Sequence, residues 1–282
     1  AASFIAYNYN TPIDAATFER EANRILREVE EECGWMYETL HTDGKTKGII
    51  NYTVWSDVFV CPQCGEEMVF WDVAVNQKEG KISRNWPCPD CSVQLSKSPR
   101  KATPALRIER AFKTKFDRVL EHPVRQAKRV PVLINYSIGK KRYEKHPNAH
   151  DLKLIELIET KHVPHSIPIK RMPDGDESRR NDDIGITHVH HFYTYRTLSF
   201  LASISHKISI TKDSRIQRIL QLWFTSQLVN VSILNRYRPN VSFPYNPLSG
   251  TLYISSQVSE ASPNTAYNNR IKRLKKAMVD VW

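Results

Sequence analysis

The chain of 282 residues lacks any apolar run near the roughly 18 residues that a membrane-spanning helix requires, so no membrane partner is expected. Its opening residues, Ala1 to Ala6, have neither the basic start nor the long apolar stretch of a secretion signal. No Gly-x-Gly-x-x-Gly fingerprint, no phosphate-cradling P-loop and no Gly-x-Ser-x-Gly elbow occurs, so no complete active site of these kinds is legible. Internal repeats and low-complexity tracts are missing too. Cysteine is sparse: five in all, four of them in two Cys-x-x-Cys pairs and Cys33 apart. That usage does not suit the disulfide framework of a secreted chain, and it points to a reducing cytoplasm with thiolates on a metal.

Apolar residues make up 40% of the chain and aromatics 10%, enough for a hydrophobic core, so a folded protein is expected. The length allows one large or two modest domains. Lys and Arg number 41 against 30 Asp and Glu, a formal charge of +11 that favours an anionic partner such as nucleic acid. The rival explanation is solubility charge with local ion pairs.

Helical spacing of Phe18, Ala22, Ile25, Leu26 and Val29 predicts a helix capped by Thr11, with Pro12 in its first turn, Cys33 buried near its end and Gly34 stopping it. The segments 49–55, 68–73, 111–117 and 124–137 read as strands, and Pro131 demands an edge or a bulge in the last. A short helix over Asp151–Thr160 is expected to turn Leu152, Ile155 and Ile158 inward, and Lys170–Asp183 reads as a polar loop. Two helices follow, Tyr195–His206 and Ser214–Asn235, the second with one wide stripe that includes Ile216, Ile219, Leu220, Trp223, Phe224 and Leu228. A loop marked by Pro239, Pro244 and Pro247, a short strand at Leu252–Ile254 and a last helix from Asn264 complete the reading.

Cys61-Pro62-Gln63-Cys64-Gly65 and Cys88-Pro89-Asp90-Cys91 form two matching knuckles. Two residues between cysteines let one tight turn offer both sulfurs to one ion, and zinc prefers four tetrahedral ligands with thiolates among the best. Gly65 permits the backbone to fold back behind the metal. The stretch between the knuckles is long enough for a hairpin, with Gly80 at its turn. Cys61, Cys64, Cys88 and Cys91 are therefore expected to hold one structural Zn²⁺, a closed site with no ligand position left for water. The fold class expected is α+β: a helical lead-in over 1–48, a zinc-ribbon-like β module over 49–103, a mixed β/α segment over 104–185 and a mainly helical segment over 186–282.

His188 and His190 would share one face of a strand and could bind a second metal, but no carboxylate stands at an obvious spacing, so His188, His190 and His191 read better as a packed, hydrogen-bonding set. Basic clusters occur at Lys140, Lys141 and Arg142, at Arg179 and Arg180, and at Arg270, Lys272 and Arg273. Each such side chain can neutralise a phosphate, and Tyr136, Tyr143, Tyr193 and Tyr195 could stack on bases nearby. A solvated helix face is the plainer reading of the C-terminal cluster.

Five phrases carry a family likeness: Ala2–Pro12, Ile50–Asp57, the two knuckles, Pro131–Tyr136 and Gly185–Tyr193. They resemble the middle of the zinc-ribbon-containing, site-specific DNA methyltransferases, which methylate exocyclic amino groups of adenine or cytosine. The resemblance spans nearly the whole chain. It implies that a glycine-rich S-adenosylmethionine loop precedes the region like Ala1–Pro12 and that an Asp-Pro-Pro-Phe-type catalytic motif follows the last helix. Neither is in this sequence, and Phe243–Pro247 only mimics the latter. The start at Ala1 instead of Met fits a processed protein or an excised piece of a longer one.

The resemblance therefore implies a target-recognition region that positions double-stranded DNA for base flipping, with the remaining methyltransferase domains supplying S-adenosylmethionine and the catalytic residues. It also implies a prokaryotic cytoplasm. No catalytic or cofactor-binding residue transfers to this chain. Arg179, Arg180 and Asn181 are the preferred base or phosphate contacts, with the other basic clusters as positioning contacts. The competing readings are a zinc-stabilised protein-interaction module and a stand-alone enzyme built around the three histidines.

Overall fold

Lys47–Val60 is a strand of 14 residues, rich in the β-branched and aromatic side chains that suit a pleated surface covered on both sides. In the computed structural model, which describes residues 1–100, 104–240 and 245–281, this strand is the axis of a nine-stranded antiparallel sheet. Arg129–Ile138 runs along it from Ile49 to Asp57, while Gln257–Ala261 pairs with Tyr52–Ser56. Lys141–Lys145 extends the sheet on one side and Asn235–Tyr237 on the other. The far end of the axis, Val58–Val60, pairs with Glu67–Val69 and with Glu109–Arg110, which carries the sheet directly into the cysteine region. The register slips between Pro131 and Leu133, the irregularity that a proline inside a strand requires.

Helices cover this sheet. Ala15–Cys33 buries Phe18, Ala22, Ile25, Leu26, Val29 and Cys33 along one face, as its spacing predicts. That face packs in one cluster with side chains of Tyr195–Ser209, Ser214–Thr225 and Pro263–Val281 and with Ile50, Ile134 and Tyr136 of the sheet. Two hydrogen bonds lock the last two helices together: Trp223 Nε1 donates to the Tyr267 carbonyl at 3.1 Å, and the Tyr267 hydroxyl donates to the Phe224 carbonyl at 2.9 Å. The fold class is α+β, as expected, and among the described residues no helix is long and apolar enough to cross a membrane.

Several local expectations are corrected. Asp14, not Thr11, caps the helix Ala15–Cys33, because its carboxylate reaches the Thr17 N–H at 2.7 Å. Phe70–Ala74 is a helical turn and not a strand; it sends Phe70 and Trp71 into two different core clusters. The polar segment after Lys170 contains a short helix, Asp176–Asp182. The helix from Ser214 stops at Thr225, where the Ser226 and Ser232 hydroxyls take up the carbonyls of Trp223 and Val229 at 2.7 and 2.8 Å. Leu252–Ile254 forms no strand, and Leu152 is exposed while Ile158 is buried. Phe243 and Pro244 lie outside the described residues, and Tyr245–Pro247, expected in a loop, is a short strand paired with Asn235–Tyr237.

Candidate metal centre and its surroundings

The two knuckles are built alike, bond for bond. In the first, the Gly65 N–H donates to the Cys61 carbonyl at 2.9 Å and the Cys61 N–H donates to the Glu66 carbonyl at 2.9 Å. In the second, the Ser92 N–H donates to the Cys88 carbonyl at 3.0 Å and the Cys88 N–H donates to the Val93 carbonyl at 2.9 Å. Each turn needs a left-handed residue straight after its second cysteine. Gly65 takes φ +79° at no steric cost, and Ser92 takes φ +61° in the equivalent place.

The knuckles meet. Cys61 Sγ lies 3.7 Å from Cys91 Sγ, and Cys64 Sγ lies 3.7 Å from Cys88 Sγ. All four sulfurs fall within 4.8 Å of one another and could hold a single metal ion. Cys61 and Cys88 are buried, whereas Cys64 is exposed. Behind them sits a small core of Phe59, Met68, Phe70, Trp86 and Leu95, with Phe70 edge-on to Phe59 and Trp86 at 5.7 and 5.5 Å between ring centres. Without a cation the thiols compete for protons. Against a burial that raises it, N–H groups of Cys64 and Gln63 bring the Cys61 thiol down to about 7. Against an N–H from Glu66 that lowers it, burial and the neighbouring thiols push Cys64 up to about 12. A dication held by the four sulfurs would displace these protons.

A charged hub ties this region to the main sheet. Asp57, on the axial strand, is 1% exposed and accepts from Arg129 Nε at 2.8 Å and from Arg110 Nη1. Burial pushes its carboxyl up, but the two guanidiniums hold it below the ordinary carboxylate range.

The histidines find their carboxylate in Asp117, more than seventy residues earlier and therefore invisible to a spacing argument. Asp117 Oδ2 accepts from His190 Nε2 at 3.0 Å and from His191 Nε2 at 2.8 Å, and Oδ1 accepts from the N–H groups of Val119 and Leu120. Asp117, His190 and His191 are close enough to ligate a metal. However, His191 Nδ1 accepts the Thr187 N–H at 3.1 Å, which leaves its proton on Nε2, aimed at the carboxylate. The cluster thus acts as the hydrogen-bonding set expected, although Val189–Phe192 is a 3₁₀ turn and not a strand. Burial raises the Asp117 carboxyl, but these four donors hold it well below the usual range; burial also lowers the His191 imidazole.

The basic clusters part ways. Lys140, Lys141 and Arg142 are exposed at the hairpin joining Arg129–Ile138 to Lys141–Lys145. Lys272 and Arg273 are exposed on the last helix, while Arg270 is half-buried with Nε on Ser226 Oγ at 3.1 Å. Arg179 is spent on Asp174 and Asp182, both at 3.0 Å, and Arg180 on Glu177. Asn181 is 2% exposed and donates to the Leu252 carbonyl at 3.0 Å, so its side chain serves the fold and is not offered to a base. No protein family, no curated protein and no solved structure matches this chain.

Proposed function

We propose that Cys61, Cys64, Cys88 and Cys91 hold one structural zinc ion, and that the chain is the DNA-binding, target-recognition region of an S-adenosylmethionine-dependent DNA methyltransferase. The sulfur geometry carries the first half. A tetrahedral ion with metal–sulfur bonds of about 2.3 Å places its ligands about 3.8 Å apart, and the pairs Cys61–Cys91 and Cys64–Cys88 stand at 3.7 Å. Four protein ligands close the site, so the ion's chemistry is structural. It would fasten Gln94–Ser96 and its neighbours to the end of the axial strand where the local core is small.

The second half rests on the family likeness and on the excess positive charge. Lys140, Lys141, Arg142, Lys272 and Arg273 make no ion pair among the described residues, and they are the side chains available for phosphates. S-adenosylmethionine and the catalytic groups would come from other parts of the parent protein. Filter binding of a DNA duplex across a salt series tests this reading. Affinity should fall steeply with salt, and replacing Lys140, Lys141 and Arg142 together with Ala should reduce the log–log slope by about 2 to 3. Affinity that does not respond to salt would remove the reading. The internal ion pairs of Arg179 and Arg180 favour the second reading, a zinc-stabilised protein-interaction module, and that reading gains if DNA does not bind.

A further inference from the structure

A cavity of about 110 Å³ opens beside the sheet where Lys113, Lys115, Arg129, Trp55 and Tyr195 meet. The charges around it do not cancel. Arg110 and Arg129 share the one carboxylate of Asp57, which leaves one guanidinium charge in excess. Arg129 commits Nε to that carboxylate, while its buried Nη2 has no hydrogen-bond partner among the described residues. Lys113 is answered by Glu159 at 4.0 Å, the acidic group on the wall. Lys115 has no carboxylate at ion-pair distance among the described residues; its ammonium stands 5.4 Å over the Tyr195 ring.

The other polar groups on the wall do not neutralise this excess. Arg196 is consumed by Glu260, and His191 points its Nε2 proton at Asp117. Burial, with Lys113 and Arg129 nearby, lowers the Lys115 ammonium, against Glu159 and Asp117, which raise it without reaching ion-pair distance. Buried cations are costly unless an anion completes them.

We propose that this cavity binds a compact oxyanion, a phosphate or carboxylate group, held between Lys115 Nζ and Arg129 Nη2. The tyrosine hydroxyl adds a donor: Tyr195 already accepts the Arg118 N–H at 3.1 Å, so its own proton is free to turn toward the ligand. The remaining wall, with Ile155, Ile184 and Val258, accepts only a small apolar substituent on that group. A cavity of about 150 Å³ encloses a benzene ring, and this one is smaller. The same oxyanion could arrive as a backbone phosphate of a nucleic acid or on a free small molecule.

The test is calorimetric titration of the whole chain with inorganic phosphate at constant ionic strength. Saturable binding is expected, weakened about tenfold or more by Lys115→Met, which removes one charge-assisted contact. Lys115→Arg should retain binding, and Lys272→Met should leave it unchanged. Because Lys115→Met keeps the apolar stem, its thermal midpoint without phosphate should match that of the parent, and the Lys115→Arg comparison remains decisive if it does not. Repeating the titration with saturating DNA duplex separates the sources. Loss of phosphate binding, with a matching loss of duplex affinity in Lys115→Met, assigns the site to a backbone phosphate; undisturbed phosphate binding assigns it to a free molecule. No saturable phosphate binding, or equal affinity in Lys115→Met and the parent, would overturn the proposal.

Discussion

Ser92 sits at φ +61° where the matching knuckle has Gly65 at +79°, and a single backbone angle decides how each turn hands two sulfurs inward. A side chain in that region costs about 1 to 2 kcal/mol. Gly65→Ala is therefore expected to lower stability by about that amount, while Ser92→Gly should be neutral or mildly stabilising; paired denaturant titrations check both. Asp117 and His191 set a pH dependence with one sign. His191 is lowered in the fold, so the unfolded chain takes up its proton first as pH falls below about 6.5. Asp117 is also lowered, so its contribution is full above about pH 4 and is lost progressively below it. Stability should thus decline from near neutrality downward. Asp117→Asn should cost about 2 kcal/mol at neutral pH and flatten the acid limb of the curve, read by chemical unfolding across pH.

At the scale of elements, one buried ion pair joins a helix to the sheet. Arg196, on Tyr195–Ser209, donates to Glu260 on Gln257–Ala261 at 2.6 and 2.5 Å, and both are nearly fully buried. Thr53 and Trp55 of the axial strand complete the network with bonds of 2.7 and 2.8 Å. Arg196→Met strands a buried carboxylate and should cost about 3 to 5 kcal/mol, whereas Arg196→Met with Glu260→Gln should recover a large share, a contrast that a double-mutant cycle measures. None of this pairing was legible from the sequence, since its partners stand 64 residues apart. Elements with strong periodicity were legible: the face of Ala15–Cys33 and the proline-linked slip at Pro131 follow from local pattern alone. Two of the misreadings fall where a side chain captured the backbone, as Asp14 does at Thr17 and Ser226 at Trp223, because such bonds compete with periodicity over a few residues.

For the whole molecule, the cysteine pairs were the most legible feature, because each Cys-x-x-Cys spacing places two sulfurs on one tight turn and the fold brings the two turns together. Asp117 escaped notice for the opposite reason: only the fold brings it to the histidines. The basic clusters were visible as composition, yet the structure divides them into side chains spent internally, such as Arg179, and side chains left at the surface, such as Lys141. Charge alone cannot make that division, because each carboxylate partner is placed by the tertiary fold. On the proposed reading, four sulfurs around one ion hold the cysteine module to the end of the axial strand. Elemental analysis of the chain purified without chelators, beside a variant with Cys64 and Cys91 replaced by Ser, tests this most directly. One zinc per parent chain, lost in the variant together with a fall in thermal midpoint, is the expected result. A parent chain free of metal, or one whose metal content survives the double replacement, would contradict it.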